Sequence, residues 1–446
     1  MPDLRIEHVH AREILDSRGR PTVEADVRLA SGTIGRASVP SGASTGTHEA
    51  VELRDGDPAR YRGRGVRTAV ANITDVIGPA VLGLGADDQH SLDGRLIELD
   101  GTPTKARLGA NAILAVSMAV CRAAADGRGI ALYRHIADLC GARPTVPLPM
   151  VNLISGGVHA GGQLDLQDVL MIPVGARDLT SAMADVASVH ARLGEMVVAA
   201  GHQPLVADEG GWAPRLRSNR EAVAWVAAAI ADVGAAAGIA LDIAASQLLD
   251  PTTGEYVLAA DGARRTSADL VADWLELSAA HHLLSIEDGL AEDDWEGWAE
   301  LTRRAGSIQL IGDDLFATNA ARFQRGIHAG IANAILVKPN QAGTLSETFE
   351  VIRMAKANGY GTIVSARSGE TEDAFLADLA VGSGAGQIKV GSVTRSERLA
   401  KWNQLMRIEE DLGVGAYAGI AALAPAGTRE RVIRVPGGQE AEDVHD

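Results

Sequence analysis

The chain has 446 residues, 46% of them hydrophobic and 22% charged, with a formal net charge of −17. That balance excludes a disordered chain, and the acidic excess excludes nucleic acid or an anionic membrane as partner, because both require a basic face. At roughly 150 residues per domain the length gives about three domains, and a β/α barrel, which outgrows that size as one unit, brings two into range.

Aromatic residues make up only 3% of the chain and glycine is abundant, so the core must be closely packed from small aliphatic side chains. Residues 1–10 carry charge throughout and lack the apolar run of a signal peptide. The most apolar stretch, residues 222–245, is broken by Asp232 and Asp242 and fails as a membrane span. The two cysteines, Cys121 and Cys140, lie in apolar helical stretches, where Cys acts as a small hydrophobe. A reducing, cytoplasmic location is expected.

Alternation of apolar and polar residues predicts strands at 4–8 and 22–29, and helical spacing follows at 67–82 and 108–125. Between them, residues 41–46 (SGASTG) form a small-residue loop without the Gly-Lys-Ser/Thr ending of a Walker motif. Residues 141–150 (GARPTVPLPM) hold three prolines and no period, the composition of a linker. The expected organisation is an N-terminal α+β domain at 1–142, a barrel at 143–436 and an acidic tail without fixed structure at 437–446.

Beyond residue 143 short aliphatic runs close on Glu209, Asp242, Glu287, Asp313, Lys338, Arg367 and Lys389, roughly 20 to 45 residues apart. Each is followed by a helix-length amphipathic segment, and a βα unit takes about 30 residues. One unit shows its punctuation: Thr344 and Glu347 have capping-box spacing, Leu345, Phe349 and Ile352 share a face, and Asn358-Gly359 ends it. The fold class is therefore α/β, a parallel β/α barrel with an α+β domain ahead of it.

In such a barrel, residues at strand C-termini converge on one mouth. Any one acid there could be an N-cap; seven polar run ends that include Lys, Arg and Glu do not have cap composition. Asp242, Glu287 and Asp313 offer three hard oxygen donors without Cys or His, a set that favours magnesium over zinc. Lys338 would be a cation at the same mouth. Beside bound metal and partly desolvated, its pKa should fall into the range of a general base, the competing reading being a lysine that pairs with these carboxylates. Arg367, Ser368 and Gly369 offer a cation, a hydroxyl and backbone donors for a phosphate. His159, in GGVHAGG, reads on its own as an ordinary loop histidine.

Taken together, the stretches AREILDSRGRPTVEADV, PSGASTG, ELRDGD, GANAILAVS, DEGGWAP, SIEDGL, GDDLFATN, RSGETEDAFLADLAVG and NQLMRIEE closely resemble the enolase family from residue 11 to about 411. The resemblance implies a capping domain on an irregular barrel whose second strand runs antiparallel, and reversible dehydration of 2-phosphoglycerate to phosphoenolpyruvate. It implies Asp242, Glu287 and Asp313 as magnesium ligands, Ser44 as loop ligand of a second magnesium, Lys338 as base and Glu209 as general acid. Gln167, Asp168, Arg367, Ser368 and Lys389 match substrate-site positions, and His159 matches a histidine on a closing loop. A homodimer or larger homo-oligomer is also implied.

The chain departs from the family pattern at four positions: Ala366 replaces a histidine, Asp168 a glutamate, Val158 a glutamate and Ser155 an asparagine. All four fall on the substrate side, whereas the magnesium set and Lys338 are intact. Such a distribution suits a specialised paralogue that keeps proton abstraction and alters a later step or the substrate, such as a carboxyphosphonoenolpyruvate synthase of phosphinate natural-product pathways. Ordinary glycolytic enolase with compensated substitutions is the alternative. A non-catalytic binding role would leave retention of the magnesium set unexplained.

Overall fold

The computed structural model describes residues 2–42 and 46–423. Ser44 and the tail at 437–446 lie outside the described residues. No described helix is long and apolar enough to cross a membrane.

Three antiparallel strands open the chain: β1 (Ile6–Leu15), β2 (Pro21–Leu29) and β3 (Ile34–Ser38). Their register sets Val9 against Val27 and Ala11 against Ala25. Period-two alternation turns Val23, Ala25, Val27 and Leu29 of β2 inward, all fully buried. Against this face lies α1 (Ala110–Arg128), with 15 of its 19 residues buried, so it is a central helix with almost no solvent face. Its many alanines allow an unusually close approach. A Cβ on Gly35 would stand 2.1 Å from the Ala119 carbonyl oxygen and 2.4 Å from the Ala123 nitrogen.

The helix expected over residues 67–82 is continuous only in part. It runs as Arg67–Asn72, widens to a π turn at Ile73–Ile77 and ends as Gly78–Val81. Pro79 has no N–H to give to the preceding turn, and the wider turn accommodates it.

Eight strands then close a barrel: β4 (Leu148–Ser155), β5 (Asp168–Ile172), β6 (Gly238–Asp242), β7 (Ser285–Glu287), β8 (Gln309–Gly312), β9 (Ala334–Val337), β10 (Gly361–Ser365) and β11 (Gly386–Gly391). Neighbours pair in chain order and β11 returns to β4. All pairs are parallel except the two that β5 makes. The reversal of β5 has a functional consequence: its N-terminal residue, Asp168, stands at the mouth where the other strands deliver their C-terminal ends. The proline-rich stretch is not linker throughout, since its last three residues, Leu148 to Met150, begin β4. Pro149 is tolerated there as part of the strand's opening, where a missing donor costs least.

The barrel floor is filled by Met150, Leu170, Ile172, Ile311, Leu336 and Ile363, with a Gln309–Gln387 amide pair at 2.6 Å among them. The N-terminal domain docks on α2 (Leu345–Ala357) by capping it. Asp93 accepts from the Ser346 nitrogen at 2.8 Å, and Ser117 Oγ accepts from the Leu345 nitrogen at 3.1 Å. Only half of the expected capping box forms. Thr344 Oγ1 accepts from the Glu347 nitrogen at 3.2 Å, but the Glu347 carboxylate reaches Lys105 of the other domain at 2.8 Å instead of closing the box on its own backbone.

Candidate active site at the barrel mouth

Asp242 and Glu287 end β6 and β7, Asp313 and Lys338 follow β8 and β9 directly, and Arg367 comes two residues after β10. Lys389 lies within β11, where the alternation of the strand turns it inward. These side chains are all buried, except that Lys338 is half-buried. One cavity is lined by His159, Gln167, Asp168, Glu209, Asp242, Lys338, Ala366, Arg367, Ser368 and Lys389. The structure thus brings these expected positions together.

Glu209 arrives differently from the sequence expectation. It ends no strand: among the described residues Val206 pairs only with Trp212, and the chain reverses between them at Gly210, whose φ is +90°. The Glu209 carbonyl accepts from the Ser392 nitrogen at 2.9 Å, which ties this turn to the segment after β11.

Charge is balanced by two lysines. Lys389 Nζ donates to Asp242 Oδ2 and to Glu287 Oε2, both at 2.7 Å. Gln167 Nε2 adds a 3.0 Å bond to the same Asp242 oxygen. Lys338 forms a close ion pair with Asp313, whose other oxygen accepts from Gln341 Nε2 at 3.0 Å. Burial opposes the Lys338 charge, but Asp313 outweighs it and the pKa lies above the ordinary lysine value. In this arrangement the ammonium is locked to a carboxylate, the competing reading of the sequence; the expected fall is that of a lysine beside bound metal. For Asp313 burial is likewise overcome by Lys338, and its pKa is lowered.

Glu287 shows the opposite balance. Burial first, and the nearby Asp242, push its carboxyl well above the usual range despite Lys389. Its Oε1 is buried with no hydrogen-bond partner. A stranded carboxylate oxygen in an all-oxygen donor set fits a hard divalent cation. A second convergence, Asp288, Asp313 and Asp314, has one oxygen from each within 4.8 Å of the others. Asp288 is committed to structure, because it accepts from the backbone nitrogens of Asp313 at 2.9 Å and Asp314 at 2.7 Å.

On the opposite wall His159, Asp168 and Glu209 form a buried cluster with ligand atoms within 4.8 Å. His159 is 8% exposed, so it is not the ordinary loop histidine of the residue-only reading. Its Nδ1 stands 3.6 Å from Asp168 Oδ2, an ion-pair distance too long for a hydrogen bond. Burial disfavours the imidazolium, yet Asp168 and Glu209 hold its pKa up at about 9. Asp168 is drawn back into the wall: its Oδ1 accepts from Asn152 and, at 3.1 Å, from Ser155 Oγ. Burial raises the Asp168 carboxyl. Glu209 is lowered, burial being outweighed by Arg398, His159, Lys389 and Lys338. Val158 points to solvent at 51% exposure, away from the cluster.

The third wall is cationic. Ser368 Oγ is buried without a protein partner, and Arg398 fixes the loop from behind by donating to the carbonyls of Arg367 and Ser368, each at 2.6 Å. Ala366, 8% exposed, presents only a methyl group to the cavity. Three contributors escaped sequence reasoning: Glu49, Gln341 and Arg398. Glu49 belongs to the other domain, Gln341 sits in a helical turn after Lys338, and Arg398 is on a helix. No strand-end pattern marks any of them.

The chain matches two family descriptions, "Enolase, N-terminal domain" over residues 6–136 and "Enolase, C-terminal TIM barrel domain" over residues 143–426. With both domains covered and the barrel mouth built as described, the chain belongs to the enolase family and is a lyase of that superfamily.

Proposed function

We propose that the protein removes the C2 proton of 2-phosphoglycerate or a close analogue to give a phosphoenolpyruvate-type product, as a specialised paralogue such as a carboxyphosphonoenolpyruvate synthase. The observation that carries the reading is the contrast between two groups of side chains at the barrel mouth. The Lys338, Asp313, Asp242, Glu287 and Lys389 side keeps the base and the carboxylate set of the family pattern, while Asp168, Ser155 and Ala366 depart from it.

Asp242, Glu287 and Asp313 are the residues that would hold magnesium, with Ser44 for a second ion. Magnesium supplies positive charge against the negative charge that develops on the substrate carboxylate when the proton leaves. Arg367 and Ser368 bind and orient the phosphate. Lys389 lies against Asp242 and Glu287 and adds a second fixed cation beside the substrate carboxylate. Lys338 accepts the proton at Nζ, which requires that the charge of Asp313 be engaged elsewhere first. The ion pair in the structure is then a resting arrangement of the base.

A later step that differs from simple dehydration is in keeping with the surroundings of Glu209, whose carboxyl is held low. Three cations and the imidazolium of His159 favour its ionised form, and one oxygen of Asp168 is committed to Asn152 and Ser155. A misplaced acid costs roughly 10²- to 10⁴-fold. Ala366 lines the same cavity as Arg367 and Lys389, and the imidazole that the family pattern has there would be replaced by room for a bulkier group. The test is turnover of 2-phosphoglycerate to phosphoenolpyruvate followed by absorbance, beside exchange of the C2 proton with deuterated water. Exchange much faster than dehydration supports the specialised reading. Dehydration at an ordinary enzyme rate, about 1–10³ per second, returns the protein to glycolytic enolase.

A further inference from the structure

Glu49 lies in the N-terminal domain, yet its carboxylate, 7% exposed, sits at the barrel mouth. Oε2 accepts from Arg367 Nη1 at 2.9 Å, and Oε1 lies 3.3 Å from Arg367 Nη2, so the two planar groups face each other side by side. The same Oε1 accepts from the Gly46 nitrogen at 2.9 Å, at the end of the small-residue loop. Gln341 Nε2, which holds Asp313, is 3.4 Å from Oε1. The Ala50 nitrogen donates to the Gln341 carbonyl at 2.9 Å, which ties the next residue to the same turn. Burial alone would weaken the Arg367 charge, but Glu49 more than offsets it.

A side-by-side carboxylate fixes the plane of a guanidinium as a point charge does not. Arg367 is the cation that the proposed function assigns to the substrate phosphate, and its plane decides which N–H bonds are presented there. Neither Gln341 nor Asn340, which accepts from Arg367 Nη1 at 3.1 Å, carries a charge. Asp313 of the barrel adds its charge as well, but after the contribution of Glu49, which makes the side-by-side contact.

We infer that Glu49 is a positioning residue, through which the N-terminal domain orients Arg367 toward the substrate phosphate. The inference rests on the proposed function for the identity of that phosphate. Glu49 touches no reacting atom, so its loss should weaken substrate capture more than the chemical step.

The experiment compares wild type, Glu49→Gln and Glu49→Asp in full-length protein with magnesium, measuring C2 proton exchange against 2-phosphoglycerate concentration. Glu49→Gln should raise KM at least tenfold with the saturating rate within about threefold, and Glu49→Asp, which restores the charge, should recover at least half of that change on a logarithmic scale. A fall in saturating rate at unchanged KM, or no change, overturns the inference. If wild type itself shows no exchange, the proposed function is what has failed, and a substrate-free readout decides the role of Glu49. Residue-resolved phenylglyoxal labelling should then rise at least threefold at Arg367 in Glu49→Gln and stay unchanged at Arg398. A parallel rise at both arginines, or none at Arg367, overturns the inference.

Discussion

Replacing Lys389 by methionine tests the electrostatics of the barrel mouth without touching the proposed base. Its ammonium makes two 2.7 Å contacts, to Asp242 and Glu287, whose side chains are 3% and 1% exposed. Methionine fills a similar volume, so the cavity cost is small. What remains is two carboxylates in a dry site with one cation fewer. Removing one partner of a buried ion pair costs about 3–5 kcal/mol. The lower end applies here, because Gln167 still donates to Asp242 at 3.0 Å. Denaturant unfolding in EDTA should therefore show Lys389→Met less stable by about 3 kcal/mol. A cation that binds only the folded state adds about 2.7 kcal/mol at a hundredfold excess over Kd. The variant, freed of the competing ammonium, should gain at least that much from magnesium and more than wild type does. Equal stability loss with and without magnesium would refute the assignment of these carboxylates as its ligands.

Further outcomes follow from the same geometry. The His159 ring should titrate near pH 9 by NMR; since its folded pKa is raised above about 6.5, its stabilising contribution is full below that value and is lost as pH rises through 9. His159→Asn should flatten the stability profile over that window, and an unchanged profile would contradict the ion-pair account. Ala366→His should raise dehydration of 2-phosphoglycerate relative to C2 exchange, and a ratio that does not move would remove Ala366 as a basis for the proposed change in chemistry. Gly35→Ala forces a methyl group into the α1 backbone at 2.1 Å; the expected cost is about 3 kcal/mol or more, read as a lower unfolding midpoint, and a neutral substitution would contradict that packing.

The barrel was legible in the sequence because each strand is buried on both faces, which leaves an apolar run that stops abruptly at a polar residue. Asp242, Glu287, Asp313 and Lys338 stand out by that signal alone. Glu209 had the same appearance, but the run before it is neither strand nor core: Leu205 is 60% exposed, and among the described residues Val206 pairs only with Trp212. The antiparallel course of β5 came from the family resemblance, since a five-residue run reads alike in both directions. Local spacing put Thr344 and Glu347 in a capping box, but Lys105, buried and in need of a counter-charge, draws the glutamate away. Glu49 is the clearest limit of sequence reasoning. Its partner Arg367 is 318 residues distant, and nothing local distinguishes it from a solvated acid.

The central claim is that Lys338 abstracts the C2 proton within an intact carboxylate set. The measurement that tests it most directly is exchange of the C2 proton of 2-phosphoglycerate in deuterated water with magnesium, wild type beside Lys338→Ala. The account predicts exchange by wild type and a loss of at least 10²-fold in the variant. Equal exchange by both proteins would contradict it.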